Sequence, residues 1–578
     1  MNRIIAWLSL NGSLASATSL QACKFDTPHW QPDHHDIYIE HAVALSATQR
    51  FITPQCQAGL MPYQDNNTGC VINADVYLTN HKELCDLLGM DTQTSDGVLI
   101  LYAYLKWGED CTIYLKGNFC FVIWDPRAQH LFAAVDQFAH CPLFYFYQPE
   151  QFVMLANECS AFHTLYPHLT VNSQRFMELA NDRYSATETA YQEIQKLPPG
   201  YQLVVTPKSL QKKRYWHWKD HRQKLAYKTR EQYYIALQQN FELAVQKNLR
   251  RIGPLTTQIS GGLDSSAVTA QAALLLAKEQ QSLSAFTSIP NGLSGESYRL
   301  GWYYNELQRI ETLLAQHSNI QHIIYQASPK TDILERLQPL QGYLDQPLRN
   351  INNFDWFMAC YEYVLKQQGR VMLVGAGGNG SISWNGSSKL EILKSFGGML
   401  KKKILRRPNR WIPNLHESML SGQLTAPLRA SVYALQLWYG VRQLDPTQEL
   451  DLTVFCYNVP QWVYRTGKLA VEQRLLAREG LSNILPEAIA GNPYRGEQGA
   501  DWYLHYNYHC QHWHQQLLEL SNSAQAILWN SYDRQKIMAM FENYHHLNQP
   551  PDRKITHDLC YQLLRCLSVG LFLQSNLS

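Results

Sequence analysis

The chain has 578 residues, too many for one hydrophobic core, so two or three domains are expected. Its 50 basic and 48 acidic residues leave a net charge of +2, which removes any bulk electrostatic argument for nucleic acid or an anionic membrane as partner. Charged residues make up only 17%, while 34 Tyr and 15 Trp suggest a polar, aromatic surface suited to peptides. In chain order, residues 1–17 carry Arg3, an apolar run and Ala15-Ser16-Ala17, the outline of a secretory signal. Asn11, Gly12 and Ser13 break that run early, and the segment is read as part of the fold.

Residues 1–207 alternate short apolar or aromatic runs with turn signals, such as F-C-F-V-I-W at 119–124 followed by Asp125-Pro126-Arg127. This predicts a sheet-rich first domain with a helix over 97–107. Residues 208–230 are polar and basic (Lys212, Lys213, Arg214, Lys219, Arg222, Lys224) and read as a linker. From 231 to 578 strand and helix signals alternate. Residues 254–259, 284–289, 320–326 and 371–375 read as buried strands, 265–281 and 302–316 as helices, and the chain beyond about 425 as mostly helical. The alternation predicts a doubly wound parallel sheet that binds ligands at the carboxyl ends of its strands. No stretch of 18 apolar residues is present, so no membrane span is expected. Thirteen cysteines without a C-x-x-C pair read as reduced cytosolic thiols.

The string I-S-G-G-L-D-S-S at 259–266 joins a predicted strand to a predicted helix. Gly261 and Gly262 let backbone N–H groups close on a phosphate, and the helix start adds the positive end of its dipole. Ser260, Ser265 and Ser266 add hydroxyl donors, and Asp264 stands where a Mg²⁺ ion can bridge it to phosphate oxygens. A glycine turn capped by Asp or Ser is the alternative for a lone S-G-G. The full string with its flanks resembles the pyrophosphate-binding loop of the ATP pyrophosphatases, which cleave ATP between the α and β phosphates.

Both halves together resemble the asparagine synthetase family. In the first half the likeness runs through N-A-D-V-Y-L-T-N-H-K-E-L (73–84), S-D (95–96), W-G-E-D-C (107–111), L-K-G-N-F-C-F-V-I-W-D (115–125), V-D-Q-F-A-H-C-P-L-F-Y (135–145) and L-P-P-G-Y (197–201). The second half adds the loop at 260–266, V-G-A-G-G-N-G-S-I-S-W-N-G (374–386), D-P-T-Q-E-L (445–450) and Y-R-G-E-Q-G-A-D-W (494–502). The shared order of these segments carries the resemblance. It implies an α+β N-terminal sandwich of the Ntn-hydrolase type (αββα), similar to a class II glutamine amidotransferase domain, over 1–207. An α/β ATP pyrophosphatase domain with a helical C-terminal part follows over 231–578.

Two departures shape the expected function. Glutamine-using members carry Cys after the initiator Met, and its thiol attacks the amide. This chain has Asn2, its next cysteine is Cys23, and the turn that would read N-G-E is Asn73-Ala74-Asp75. The resemblance therefore implies no glutaminase activity, and family members without the nucleophile take an amine from the substrate itself, as β-lactam synthetases and lasso-peptide cyclases do. The second departure is at 375–380, where the family places an Asp and a Glu after G-E-G-S. Here Asn379 occupies the Asp position and no acid replaces the Glu. Asn offers Mg²⁺ a carbonyl oxygen but no charge. The form G-x-G-G-N-x-x-I-S-W-x-G, with R-G-x-Q-x-A-D-W, resembles the macrolactam-forming enzymes of lasso-peptide pathways.

The implied reaction uses ATP and Mg²⁺ to adenylate a side-chain carboxylate of a precursor peptide, whose N-terminal amine then closes the ring. Ser260, Gly261, Gly262, Asp264 and Ser265 are assigned to pyrophosphate and Mg²⁺. The backbone near Ile259, with Phe286, Thr287 and Ser288, is assigned to adenine and ribose; Leu263 and Ser266 complete the loop. Gly377, Gly378 and Asn379 close the phosphate pocket, with Asp264 and Asn379 as metal ligands. Arg495 lies near the family's transition-state lysine, and Glu449 matches an acidic position, with a helix cap as its alternative. A leader peptidase and a leader-recognition protein are the implied partners and the cytoplasm the implied compartment. The rival readings are an ammonia-dependent asparagine synthetase, a small-molecule lactam synthetase, and a catalytically inactive nucleotide- or peptide-binding scaffold.

Four other signals are assigned to structure. Lys401-Lys402-Lys403 with Arg406, Arg407 and Arg410 reads as a solvated basic loop, with an acidic leader or partner as the alternative. His505, His509 and His512 share a helix face near Cys510 and His514, a spacing that suits zinc but shows no partner carboxylate. Asp33-His34-His35-Asp36 reads as a solvated turn. The aromatics of 302–304 and 354–357 read as core, with a minority lining a peptide channel.

Overall fold

The computed structural model describes residues 1–14, 20, 27–166, 168–297, 300–386, 426–467, 469–544, 546–547 and 549–577. In the first part of the chain the period-2 apolar runs form two six-stranded antiparallel sheets. One has Asn2–Ser9 between Phe152–Ala156 and Val43–Gln49; the other has Gly117–Asp125 between His130–Val135 and Val71–Leu78. Alternate residues face opposite ways. Ile4, Ala6 and Leu8 share a core with Val71, Val122, Leu131 and Val135, between the sheets. Ile72, Ala74, Phe121 and Ile123 turn outward onto Leu99, Ile100 and Ala103 of helix Asp96–Trp107, which Ser95 caps. On the far side Phe146 and Met154 pack with Phe162 of helix Ser160–Leu165. Helix, sheet, sheet and helix are thus stacked in that order.

The second part is built on five parallel strands in the order Ile320–Tyr325, Leu283–Ser288, Leu255–Gln258, Val371–Leu373, Arg442–Leu444. The chain winds outward from Leu255–Gln258 and then returns to that strand's other side. The direction therefore reverses between Leu255–Gln258 and Val371–Leu373, and a crevice is expected beyond their carboxyl ends. The loops leaving those two strands are I-S-G-G and V-G-A-G-G-N. Helices dominate from Ala426–Tyr439 onward, and among the described residues no helix is long and apolar enough to cross a membrane.

Several expectations need correction. Within the segment read as linker, Ser209–Arg214 pairs with Tyr201–Thr206 as an edge strand, because its aliphatic stems and backbone complete the second sheet despite its charge. Trp216 and Trp218, just beyond, are buried with Phe138, Leu450 and Tyr457. The stretch 302–316 is not one helix: Trp302–Tyr303 is a short strand beside Arg495–Gly496, and the helix is Leu307–Leu314. His34–Glu40 is a strand rather than a turn, and Asp33 beside it pairs with Arg370. The cysteines described are free thiols. The basic cluster at 401–410 and Cys23 lie outside the described residues.

The two parts share one core: Ile4 and Val122 belong to the same buried cluster as Leu255, Leu373 and Leu444. At its centre Arg442, wholly buried on the edge strand of the parallel sheet, reaches Asp75 with Nη2 at 2.6 Å from both carboxylate oxygens. Burial pushes Asp75 upward, but Arg442 beside it holds the carboxyl below the usual range.

Candidate active site

Strand Leu255–Gln258 ends at Ile259, whose N–H donates to Phe286 O of the neighbouring strand at 2.9 Å. Ser260 then closes the turn on the helix start. Its N–H donates to Ser265 Oγ (3.0 Å), its Oγ accepts from Gly262 N–H (3.2 Å), and its carbonyl accepts from Ser266 Oγ (2.7 Å). Helix Leu263–Lys278 has Gly262 at its N-cap with no side-chain cap, so its first N–H groups remain available to an anion. The glycine turn is therefore not the capped turn that was the alternative. A side chain at Gly261 would meet Glu306 Cβ at 2.8 Å, which explains the glycine by close approach rather than by left-handed backbone.

The V-G-A-G-G-N loop packs directly on that helix start. A Cβ at Gly375 would lie 2.7 Å from the backbone of Asp264 and Ser265, and one at Gly378 2.2 Å from Asp264 Cγ. The loop is held from behind by Asp445, whose Oδ2 accepts from Gly377 N–H at 2.7 Å and whose Oδ1 accepts from Thr447 N–H at 3.0 Å. D-P-T-Q-E-L is thus a buttress for the glycine loop.

Asp264 is buried between these two loops. Oδ2 accepts from Ser383 Oγ at 2.9 Å, while Oδ1 is buried without a hydrogen-bond partner. Burial pushes its pKa from 3.8 to about 6, Arg474 and Ser383 pull it back, and Asp445 adds to the rise. A buried, ionisable oxygen with no donor is what a hard cation satisfies. The donor set would suit Mg²⁺, with Asp264 Oδ1 as one protein oxygen and the Asn379 side-chain carbonyl, on the same cavity lining, as a second.

A cavity of about 750 Å³ opens from this cradle. Ile259, Ser260, Gly261, Gly262, Leu263, Asp264, Ser265, Phe286, Thr287, Ser288, Asn379 and Arg495 all line it. Ser266, Gly377 and Gly378 stand behind the lining and shape it. Glu449 does not belong to it. Its carboxylate accepts from Leu452 N–H as the cap of helix Leu450–Asn458 and pairs with Lys247 at 3.2 Å, because a buried acid at a helix start finds its partners there. Its alternative as a helix cap describes its position.

Several residues at the site carried no sequence motif. Glu306 lines the cavity below Gly261, and burial raises its pKa against the pull of Arg309. Arg474, in left-handed backbone at φ 60°, and Arg478 line the same wall. Burial first, then the neighbouring charges of Arg474 and Arg495, lowers the pKa of Arg478. Three guanidinium groups thus converge there, although Arg478 also donates to Gln473 O and Asn492 O. The motif Y-R-G-E-Q-G-A-D-W lines the cavity along its whole length, from Tyr494 to Trp502. Trp302, Tyr304, Trp356 and Phe357 line the cavity too, so the aromatics read mainly as core are largely a lining. The histidine face also needs correction: Asp332 and Glu335 lie against His512.

In the first half Asn2 is buried. Asn2 N–H donates to Asp75 Oδ1 (2.7 Å), its amide donates to Ala74 O (2.7 Å), and Asn157 donates to Asn2 O (2.7 Å). Tyr433 and Arg442 from the second half fill the remaining space against Asp75.

Comparison with known proteins agrees with this division. Residues 1–216 match the model of a glutamine amidotransferase domain and residues 236–436 that of asparagine synthase. The chain is 29% identical over 259 residues to asparagine synthetase [glutamine-hydrolyzing] 3 of Bacillus subtilis, covering 43% of this chain and 41% of that protein. It is 26% identical over 278 residues to amidase chyE of Penicillium rubens, covering 46% and 40%. The alignments therefore span less than half the length of these relatives. Among solved structures, glutamine PRPP amidotransferase from B. subtilis, complexed with ADP and GMP, is 11% identical with a TM-score of 0.25, covering 56% of this chain and 75% of that one. The two domain matches, in this order, support the asparagine synthetase family.

Proposed function

We propose that this chain is an AMP-forming amide ligase that activates a side-chain carboxylate of a ribosomal precursor peptide and closes a macrolactam with the peptide's N-terminal amine, as lasso-peptide cyclases do. The observation that carries the ligase reading is the unpartnered, buried Asp264 oxygen at an uncapped helix start, set at the mouth of a cavity. In the first step a peptide carboxylate oxygen attacks the α-phosphorus of ATP and pyrophosphate leaves. In the second the amine attacks the acyl carbon and AMP leaves. The Ser260–Ser265 turn holds the departing pyrophosphate by its N–H and hydroxyl groups. Arg495 and Arg474 lower the cost of charge building at the α-phosphorus. Asp264 and Asn379 would hold Mg²⁺, which when bound neutralises phosphate charge. Phe286 and Thr287, at the end of the next strand, are placed for the nucleoside.

A free α-amine with a pKa near ~7.7–8.0 needs little activation, so the main demand is orientation of a folded peptide. The cavity's volume lies within the ~300–1,000 Å³ of ligand sites, and its aromatic wall suits apolar side chains. The names of the relatives favour a glutamine-fed asparagine synthetase. Against that reading stand Asn2 where a thiol would be needed and the Asp75–Arg442 pair filling the space beside it.

The test supplies ATP and Mg²⁺ with aspartate and ammonia, with aspartate and glutamine, or with a leader-cleaved precursor peptide. AMP, pyrophosphate and product mass are followed. Only the peptide arm is expected to release pyrophosphate and give a product lighter by one water. Asparagine made at an ordinary enzymatic rate would defeat the cyclase reading. Silence with the cognate peptide would favour the scaffold reading. A leader peptidase and a leader-recognition protein are the partners this function requires.

A further inference from the structure

We propose that Asp332, Glu335 and His512 form a zinc-type site, with His509 beside Asp332, that staples helix Trp502–Leu518 to helix Ile333–Leu337 at the wall of the cavity. Asp332 is 95% buried at its side chain. Its Oδ1 accepts from Leu334 N–H (2.9 Å) and from Trp513 Nε1 (3.0 Å), but its Oδ2, equally buried, accepts no hydrogen bond. That oxygen faces two imidazoles. His509 Nδ1 is 3.6 Å away and His512 Nε2 3.7 Å away, and His512 Nε2 is in turn 3.7 Å from Glu335 Oε1.

These spacings decide the reading. Charge-assisted N–H···O bonds run ~2.7–2.9 Å, and nothing about a packed helix pair forces an extra ångström of separation. Zinc bonds of ~2.0–2.1 Å in a tetrahedron put neighbouring ligand atoms about 3.3–3.4 Å apart. His512 Nε2 lies 3.7 Å from both Asp332 Oδ2 and Glu335 Oε1, close to that edge length, and Asp332, Glu335 and His512 present their ligand atoms within 4.8 Å of one another.

His509 Nε2 lies 3.1 Å from Pro329 O, which can only accept, so that nitrogen carries a proton and the ring is held beside Asp332. His512 Nε2 lies 3.0 Å from the Gln516 amide nitrogen, on the same face of the helix. One imidazole and two carboxylates make a donor set of zinc character, with a position left open for water. The spacing H-x-x-H on one helix and D-x-x-E on the other puts each pair one turn apart. Ile333 and Trp513, next to the ligands in sequence, line the cavity, so an ion here would stiffen the peptide-facing wall.

The full chain, made without a histidine tag, is stripped with a chelator and dialysed against micromolar zinc with excess Mg²⁺ present. Bound zinc is then measured by mass spectrometry and by competition with a chromophoric chelator. One tightly held zinc per chain is expected, and Co²⁺ in its place should give the intense visible bands of a tetrahedral N/O site. His512→Ala and Glu335→Gln change half-exposed and exposed side chains, so the fold is kept. Each should weaken zinc by at least ~100-fold, beyond the ~10–100-fold cost of losing an outer partner. Asp332→Asn serves as a third variant, with circular dichroism to show that its helix cap survives. A chain that retains no zinc, or one whose zinc is unchanged in both surface variants, overturns the proposal.

Discussion

Replacing Asp264 by Asn should stabilise the ligand-free protein while abolishing pyrophosphate release. The carboxylate is buried, lacks a donor at Oδ1, and has its pKa raised from 3.8 to about 6. Because the folded pKa lies above the unfolded one, the stability linked to this group is fully present below pH 3.8 and is lost as pH rises through about 6. The full cost at neutral pH is about 3 kcal/mol, and about 1.4 kcal/mol of it appears between pH 5 and pH 7.5. Asn keeps the shape without the charge, so the variant's advantage over wild type should grow by that amount across the same interval. For domains of this size it is a shift of several degrees in Tm, at about 2–4 °C per kcal/mol. The assay is thermal unfolding of both proteins without nucleotide at several pH values, then with Mg²⁺ and ATP. Nucleotide should raise the Tm of wild type and leave the variant unmoved, since a ligand stabilises only the state it binds. A variant less stable than wild type by the same margin at every pH would refute the reasoning.

Arg442→Met takes the guanidinium from the buried Asp75 carboxylate and leaves it to the Asn2 N–H and Tyr433 hydroxyl donors, so chemical denaturation should show a loss of about 3–5 kcal/mol; adding Asp75→Asn should recover much of it. Gly378→Ala puts a methyl 2.2 Å from Asp264 Cγ, and displacing that carboxylate by an ångström should cost ~100-fold in peptide-dependent pyrophosphate release with an unchanged circular dichroism spectrum. Arg474→Gln removes the strongest cation acting on Asp264, so the acid limb of the kcat/KM profile should move to higher pH. Glu449→Gln, by contrast, should lower Tm through its lost pair with Lys247 and leave kcat within a few-fold of wild type.

Four of the five parallel strands were legible from the alternation of strand and helix signals, whereas Arg442–Leu444, three residues with two polar side chains, was not; the cradle was legible because two glycines, three serines and an acid fall between a strand and a helix. The helix expected over 97–107 is found at Asp96–Trp107, within one residue. What stayed hidden was set by contacts remote in sequence. Ser209–Arg214 looks like linker from its charge, yet an edge strand needs only one paired side and tolerates lysines on the other. Trp302–Tyr303 is a strand only because Arg495–Gly496 lies beside it, far along the chain. Glu306 and Arg474 belong to the site through folding alone, since a single Glu before a helix and a single Arg after a turn carry no local signature. Glu449 shows the reverse: an acid in a family-like motif that the helix start and Lys247 claim.

The first half is held to the second by the buried Asp75–Arg442 pair. Asp75 sits on the strand face between the two sheets, where apolar neighbours make an unpaired carboxylate costly. Arg442 satisfies it from the edge strand of the parallel sheet, one strand beyond Val371–Leu373, from which the V-G-A-G-G-N loop departs. The same edge strand ends at Leu444, next to the Asp445 that grips Gly377. One short strand therefore ties the first half to the second at one end and fixes the glycine loop against Asp264 at the other. Loss of the first half would strand Arg442 and loosen the edge from which Asp445 reaches the cradle. The first half thus bears, through Arg442 and its strand, on the position of the glycine loop that meets Asp264.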